Sequence, residues 1–188
     1  MNPNPHRILV VDDDFDEQFI AQRALRKVLS EKSVVKVVGS GDEAIAYFIG
    51  EGKFSDRTAY PFPSLVLLDL NMDQGDGFDV LEFLRINPAW SVVPRIIFTS
   101  SDDEDDVRTA YALGASVYHR KPANAADLEK LMQEILGYWA KSEVPPVDEK
   151  GRLLITKNVG RRGARYPQDK GGETMKRPTG RPAGSGRR

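Results

Sequence analysis

Four short apolar runs, Arg7–Val11, Val34–Val38, Leu65–Leu68 and Arg95–Thr99, punctuate the first part of the chain, and a weaker fifth covers Ser116–His119. Their apolar residues are largely consecutive rather than alternating with polar ones. That is the pattern of strands covered on both faces, as in a parallel sheet. Between the runs the spacing changes to the helical period. Ile20, Ala24 and Val28 share a face with Ala21 and Leu25. Ala44, Ile45 and Phe48 follow Asp42, the expected cap of their helix, and Val80, Leu81 and Leu84 form a stripe that Asn87-Pro88 stops. Val107, Ala110, Tyr111 and Gly114 fall at i, i+3, i+4 and i+7. A last stripe, Leu128, Leu131, Met132, Ile135, Leu136 and Trp139, follows Asn124 as N-cap. Five strand–helix units in strict alternation predict an α/β fold, a doubly wound parallel sheet with helices on both faces. Such sheets carry their working site beyond the carboxyl ends of the strands.

The residues at those ends carry chemistry. Asp12, Asp13 and Asp14 follow the first strand, Asp69 ends the third, Thr99-Ser100 the fourth, and Lys121-Pro122 follow the fifth. Two carboxylates about 4 Å apart repel by roughly 4 kcal/mol at an effective dielectric near 20. A group of three therefore calls for a cation or for raised pKa values. Only hard oxygen ligands are on offer, which favours Mg²⁺ with waters retained. With a phosphoryl donor, a carboxylate at the end of the third strand can act as nucleophile and form an acyl phosphate. Thr99 and Lys121 then bind the transferring oxygens. The stretch Asp69-Leu-Asn-Met-Asp73 also suggests a calcium loop, but its turn glycine would be Gln74 and its bidentate glutamate Val80, so that reading fails.

Composition narrows the classes. The 188 residues contain no cysteine, which excludes disulfides, thiolate metal sites and cysteine nucleophiles, and only two histidines, His6 and His119. No apolar run approaches the roughly 20 residues of a membrane span, and the start of the chain lacks the apolar core of a signal peptide, so a cytoplasmic location is expected. The net charge of −1 conceals two different polymers. Residues 151–188 hold 11 Lys/Arg against 2 Asp/Glu, a balance of +9, which leaves −10 for residues 1–150. We place a folded domain at 1–145 and a disordered, basic Gly/Pro/Arg-rich tail at 146–188, with Arg152–Thr156 as its one apolar patch.

The strings I-L-V-V-D-D, L-V-L-L-D-L-N-M, I-I-F-T-S, G-A-S-V-Y and R-K-P, in this order, resemble a response-regulator receiver domain of two-component signalling over about residues 5–141. The resemblance implies a flavodoxin-like strand order 2-1-3-4-5. It implies Asp69 as phosphoacceptor, with Mg²⁺ held by Asp13, Asp69 and the Asn71 carbonyl and by Asp12 through water. It implies Thr99 and Tyr118 as a switch pair, a cis Lys121-Pro122 bond, and a histidine kinase as phosphodonor. The output would be protein contact, including self-association, through the face of helix 4, strand 5 and helix 5. The lengthened connection Gly50–Pro63 and the ending Gly137-Tyr-Trp are similar to stand-alone regulators paired with phytochrome-type kinases. One departure stands out: such families usually have proline four residues after the acceptor, where this chain has Asp73.

Other features have simpler readings. Asp14 is expected to cap the first helix, and Asp73, Asp76 and Asp79 to be loop and helix-start acids. The run Asp102–Asp106 is expected to be a solvated first turn, favoured by the helix dipole. His119 reads as structural or surface, while Trp139 either closes the base of the core or marks an exposed dimer face. The tail sequence Lys176–Gly184 resembles a degraded AT-hook with Thr179 in place of an arginine, so a DNA-associated regulator is the alternative function. A haloacid-dehalogenase-type phosphatase needs a second carboxylate two residues after its nucleophile, where this chain has Asn71.

Overall fold

The structure, a computed structural model, describes residues 6–142 apart from 74, 88, 89, 91 and 140, together with Asp148. The chain divides into Met1–Leu154 and Ile155–Arg188. The second unit, the Arg152–Thr156 patch and the AT-hook-like segment lie outside the described residues. Five strands, β1 (Arg7–Val11), β2 (Val34–Val38), β3 (Leu65–Leu68), β4 (Arg95–Thr99) and β5 (Val117–Arg120), alternate with five helices. These are α1 (Phe15–Val28), α2 (Gly41–Ile49), α3 (Gly77–Ile86), α4 (Glu104–Ala112) and α5 (Ala125–Trp139). All neighbouring strands are parallel, in the order β2-β1-β3-β4-β5. This is the flavodoxin-like order that the family resemblance implied.

The consecutive apolar runs are explained by the two cores they serve. Leu9, Val11, Val66, Leu68 and Ile97 point to the face covered by α2, α3 and α4. Ile8, Val10, Leu65, Leu67, Ile96 and Phe98 point to the face covered by α1 and α5. Strands buried on both sides have no polar face to leave alternation. Each fully buried Leu or Ile contributes roughly 1.5–3 kcal/mol of transfer free energy.

Three local expectations are corrected. Helix α2 is capped by Ser40, not Asp42: Ser40 Oγ accepts the Glu43 N–H, and Glu43 reaches back to accept the Gly39 N–H, a reciprocal cap. Strand β5 begins one residue later than expected, because Ser116 is spent on its neighbour. Its N–H donates to the Arg95 carbonyl and its hydroxyl accepts the Arg95 N–H. In α4 only Ala110 of the expected stripe is buried; Tyr111 is 50% exposed, and Gly114, at φ 91°, lies beyond the helix end. Asp14, Asp76 and Asn124 cap α1, α3 and α5 by accepting the N–H three residues on. Asp103 caps α4, and Glu104 and Asp105 pair with Arg108, so the acidic run is a solvated first turn.

The lengthened connection before β3 is built rather than loose. A single 3-10 turn, Gly52–Phe54, begins it. Arg57 then donates to the carbonyls of Tyr47, Phe48 and Tyr60, closing the C-terminal end of α2. Phe62 seats beside Phe48 and Trp90 in an aromatic cluster completed by Phe83. Among the described residues no helix is long and apolar enough to cross a membrane.

Candidate functional site

Strands β1 and β3 are neighbours in register, and Val11 pairs with Leu68, so Asp12 and Asp69 leave the sheet side by side. Both are buried, as is Thr99 at the end of β4. Lys121, just past β5, reaches into the gap between them. Its ammonium donates to Asp69 Oδ2 at 2.7 Å and Asp12 Oδ2 at 2.9 Å, and its side chain is 4% exposed. The Lys121 N–H donates to the Thr99 carbonyl at 2.8 Å, which locks the approach of β5's exit to β4. The Lys121–Pro122 bond, expected to be cis, is trans, the form an X–Pro bond favours by about 0.5–1 kcal/mol. The trans chain still delivers the ammonium to both carboxylates.

A third carboxylate joins them. Glu17, on the first turn of α1, also accepts from Lys121. Sequence reasoning missed it, although a signal was present. Asp14 and Glu17 have the spacing of a capping box, in which the second acid turns back to the cap's N–H. Here Asp12 Oδ1 takes the Asp14 N–H at 2.9 Å, which frees Glu17 for Lys121. Oxygens of Asp12, Glu17 and Asp69 lie within 4.8 Å of one another. One ammonium cannot balance three carboxylates, and the hard oxygen set fits a divalent cation.

The charges shift one another. Burial raises Asp12 to about 6; Lys121 offsets part of that, and the Asp69 charge adds to it. Burial pulls the Lys121 ammonium down, but Asp69 and Asp12 together outweigh it and leave the group above its ordinary range. Lys121 therefore remains a fixed cation.

The other expected residues are distributed around this centre. Asn71 is exposed, and its N–H donates to Asp69 Oδ1 at 3.2 Å. Asp13 is exposed and stands outside the three-carboxylate group; its Oδ2 accepts the Asp73 N–H at 2.8 Å. The loop carrying Asn71 and Asp73 is pressed against the sheet end by Gly77, whose N–H donates to the Leu70 carbonyl. Thr99 Oγ1 accepts the Ser101 N–H at 3.4 Å. Tyr118, half-buried, donates its hydroxyl to the Ser101 carbonyl at 3.3 Å, and Arg120 donates to the Asp102 carbonyl at 2.7 Å. Two side chains of β5 thus hold the carbonyls of the loop that leads from Thr99 into α4. Trp139 packs partly buried against the α1–α5 core, while its neighbour Tyr138 is 69% exposed.

Comparison with known proteins agrees with this fold. The family profile of the response regulator receiver domain matches residues 8–133. Response regulator Rcp1 of Synechocystis sp. is 32% identical over 145 residues, which span 77% of this chain and 95% of that protein. The phosphorylated cyanobacterial phytochrome response regulator RcpA has a solved structure that is 30% identical with a TM-score of 0.70, covering 76% of this chain and all of the other. The Mn²⁺-bound form of Rcp1 gives 31% identity and a TM-score of 0.70 over the same 76% of this chain and 100% of that one. The chain belongs to the response regulator receiver domain family, and among its members it is similar to the phytochrome response regulators.

Proposed function

We propose that this receiver accepts a phosphoryl group on Asp69 from a phosphohistidine of a histidine kinase, of the phytochrome type. An Asp69 carboxylate oxygen forms the new O–P bond as the donor's P–N bond breaks, and the electron pair leaves on the imidazole nitrogen. The observation that carries this reading is the buried Lys121 ammonium, 2.7 Å from Asp69, at the strand end beside Thr99. That ammonium is placed to turn from the carboxylates to a phosphoryl oxygen, and the Thr99 hydroxyl to donate to another.

Asp13, Asp69 and the Asn71 carbonyl would hold Mg²⁺, with Asp12 reaching it through water, and the ion would neutralise charge on the transferring oxygens. The chain's own residues do the rest. Lys121 supplies the permanent positive charge, and the Asn71 N–H fixes one Asp69 oxygen. Tyr118 and Arg120 connect any movement of the loop after Thr99 to β5. The face of α4, β5 and α5 is then the surface whose affinity for a partner, including a second copy, changes with phosphorylation.

The test is intact mass after incubation with Mg²⁺ and a small acyl phosphate, alongside an Asp69→Asn control and, should the small donor fail, a phosphorylated histidine kinase. One added phosphoryl group, absent from the control and without Mg²⁺, is the expected result. A modified Asp69→Asn protein, or no modification from either donor, would reject the reading.

A further inference from the structure

Lys121 commits all of its side-chain donors. An ammonium has three hydrogens, and carboxylate oxygens of Asp12, Glu17 and Asp69 accept them. The three acceptors are not held alike. Asp12 and Asp69 stand at strand ends, and the other oxygen of each is fixed by a loop amide, that of Asp14 and that of Asn71 respectively. Glu17 stands on the first turn of α1, and Lys121 is the one hydrogen-bond partner of its carboxylate among the described residues. Its side chain is 32% exposed, against 8% for Asp12 and 7% for Asp69.

A phosphoryl oxygen on Asp69 needs a hydrogen from this ammonium. Asp69 carries the group itself, so the choice of acceptor to give up lies between Asp12 and Glu17, and their exposures decide it. Withdrawing the ammonium from Asp12 would strand a buried carboxylate, a strongly destabilising change. Withdrawing it from Glu17 leaves a carboxylate that water can reach, on a long side chain that regains rotamer freedom. We infer that Glu17 is a positioning residue that competes with the phosphoryl group for Lys121. It holds the ammonium toward α1 in the resting receiver and is displaced when Asp69 is modified. This rests on the reading of Asp69 as phosphoacceptor and adds a brake on it, set by one side chain of α1. The brake works through charge as well as through the bond, since the third carboxylate repels an incoming anion.

Beryllofluoride with Mg²⁺, a mimic of an aspartyl phosphate that is not transferred, gives an equilibrium readout. Its affinity for the full chain should rise about 3- to 10-fold in Glu17→Gln. A gain is not what a damaged fold produces. Asp16→Asn removes the same charge from the preceding, exposed position of α1 and should leave the affinity within about twofold. A second measurement needs neither metal nor anion. In Glu17→Ala the Lys121 ammonium protons, followed by heteronuclear NMR, should exchange with solvent several-fold faster than in the wild type. Unchanged or weaker beryllofluoride binding by E17Q, an equal gain in D16N, or unchanged exchange at Lys121 in E17A would overturn the inference. Beryllofluoride bound by neither wild type nor E17Q, or bound as well by Asp69→Asn, would instead sink the phosphoacceptor reading on which it rests.

Discussion

The ammonium of Lys121 lies 2.7 Å from the Asp69 carboxylate across 52 residues of chain, so the centre is a buried ion pair before any ligand arrives. Removing one partner of such a pair leaves a buried charge uncompensated, at a cost of roughly 3–5 kcal/mol. Lys121→Met should show a loss of that order in urea unfolding at pH 7.5 with chelator present. The loss should shrink at pH 5, where Asp12, raised to about 6, is protonated and has less need of a cation. An equal loss at both pH values would mean that Asp12 does not titrate as described.

Gly77 has no room for a side chain. A Cβ there would sit 2.2 Å from the Asp69 carbonyl oxygen and 2.8 Å from the Leu70 Cα, both backbone atoms that cannot swing aside. Gly77→Ala should therefore move the loop after β3 and destabilise the fold by about 1–3 kcal/mol. It should also slow phosphorylation of Asp69. The two effects are read by thermal melting and by the intact-mass assay; a stable protein with normal modification would show that the loop can adapt.

Trp90 is buried at the centre of an aromatic cluster, with ring centroids 5.2–5.9 Å from Phe48, Phe62 and Phe83. Trp90→Ala should cost roughly 3–5 kcal/mol in chemical denaturation. Trp90→Phe, which keeps a ring in place, should cost less than half of that.

His119 gives the fold a pH dependence of known sign. Burial lowers its pKa below the usual 6.5, so the unfolded chain binds this proton more readily than the native one. The group's contribution to stability is present above pH 6.5 and is lost as pH falls through the lowered native value. The stability difference between wild type and His119→Gln should shift against the wild type as pH is lowered below 6.5. A difference that stays flat between pH 5 and 8 would contradict the assignment.

The bounds of β1, β3 and β4 were legible because burial on two faces writes a nearly unbroken apolar run into the sequence, whereas the edge strand β2, of which only Val38 is buried, was legible from its valines. Strand β5 is an edge with half-buried residues, and its weaker signal placed it one residue early. The grouping of Asp12, Asp69, Thr99 and Lys121 followed from strand order alone, since a parallel sheet brings every carboxyl end to one rim. Glu17 was missed because its letter fits a helix start equally well, and only the position of Lys121 distinguishes the two uses. The Asp73 amide leaves no letter at all: what the sequence offered was the absence of a proline. The packing of Phe62 and Trp90 was equally silent, as their partners come from separate elements with no shared period.

Strand β4 carries Thr99 at one end and, at the other, Arg95, a buried guanidinium. Arg95 donates to the Leu84 carbonyl in the last turn of α3 and to the Gly114 carbonyl after α4. Both acceptors lie at helix C-terminal ends, where the dipole favours a cation. The lower end of the strand is thus moored to the helices that precede and follow it in the chain, both on the same face of the sheet. Moored at its root by Arg95, β4 is held at the end away from Thr99, while Tyr118 and Arg120 of β5 hold the loop beyond its tip.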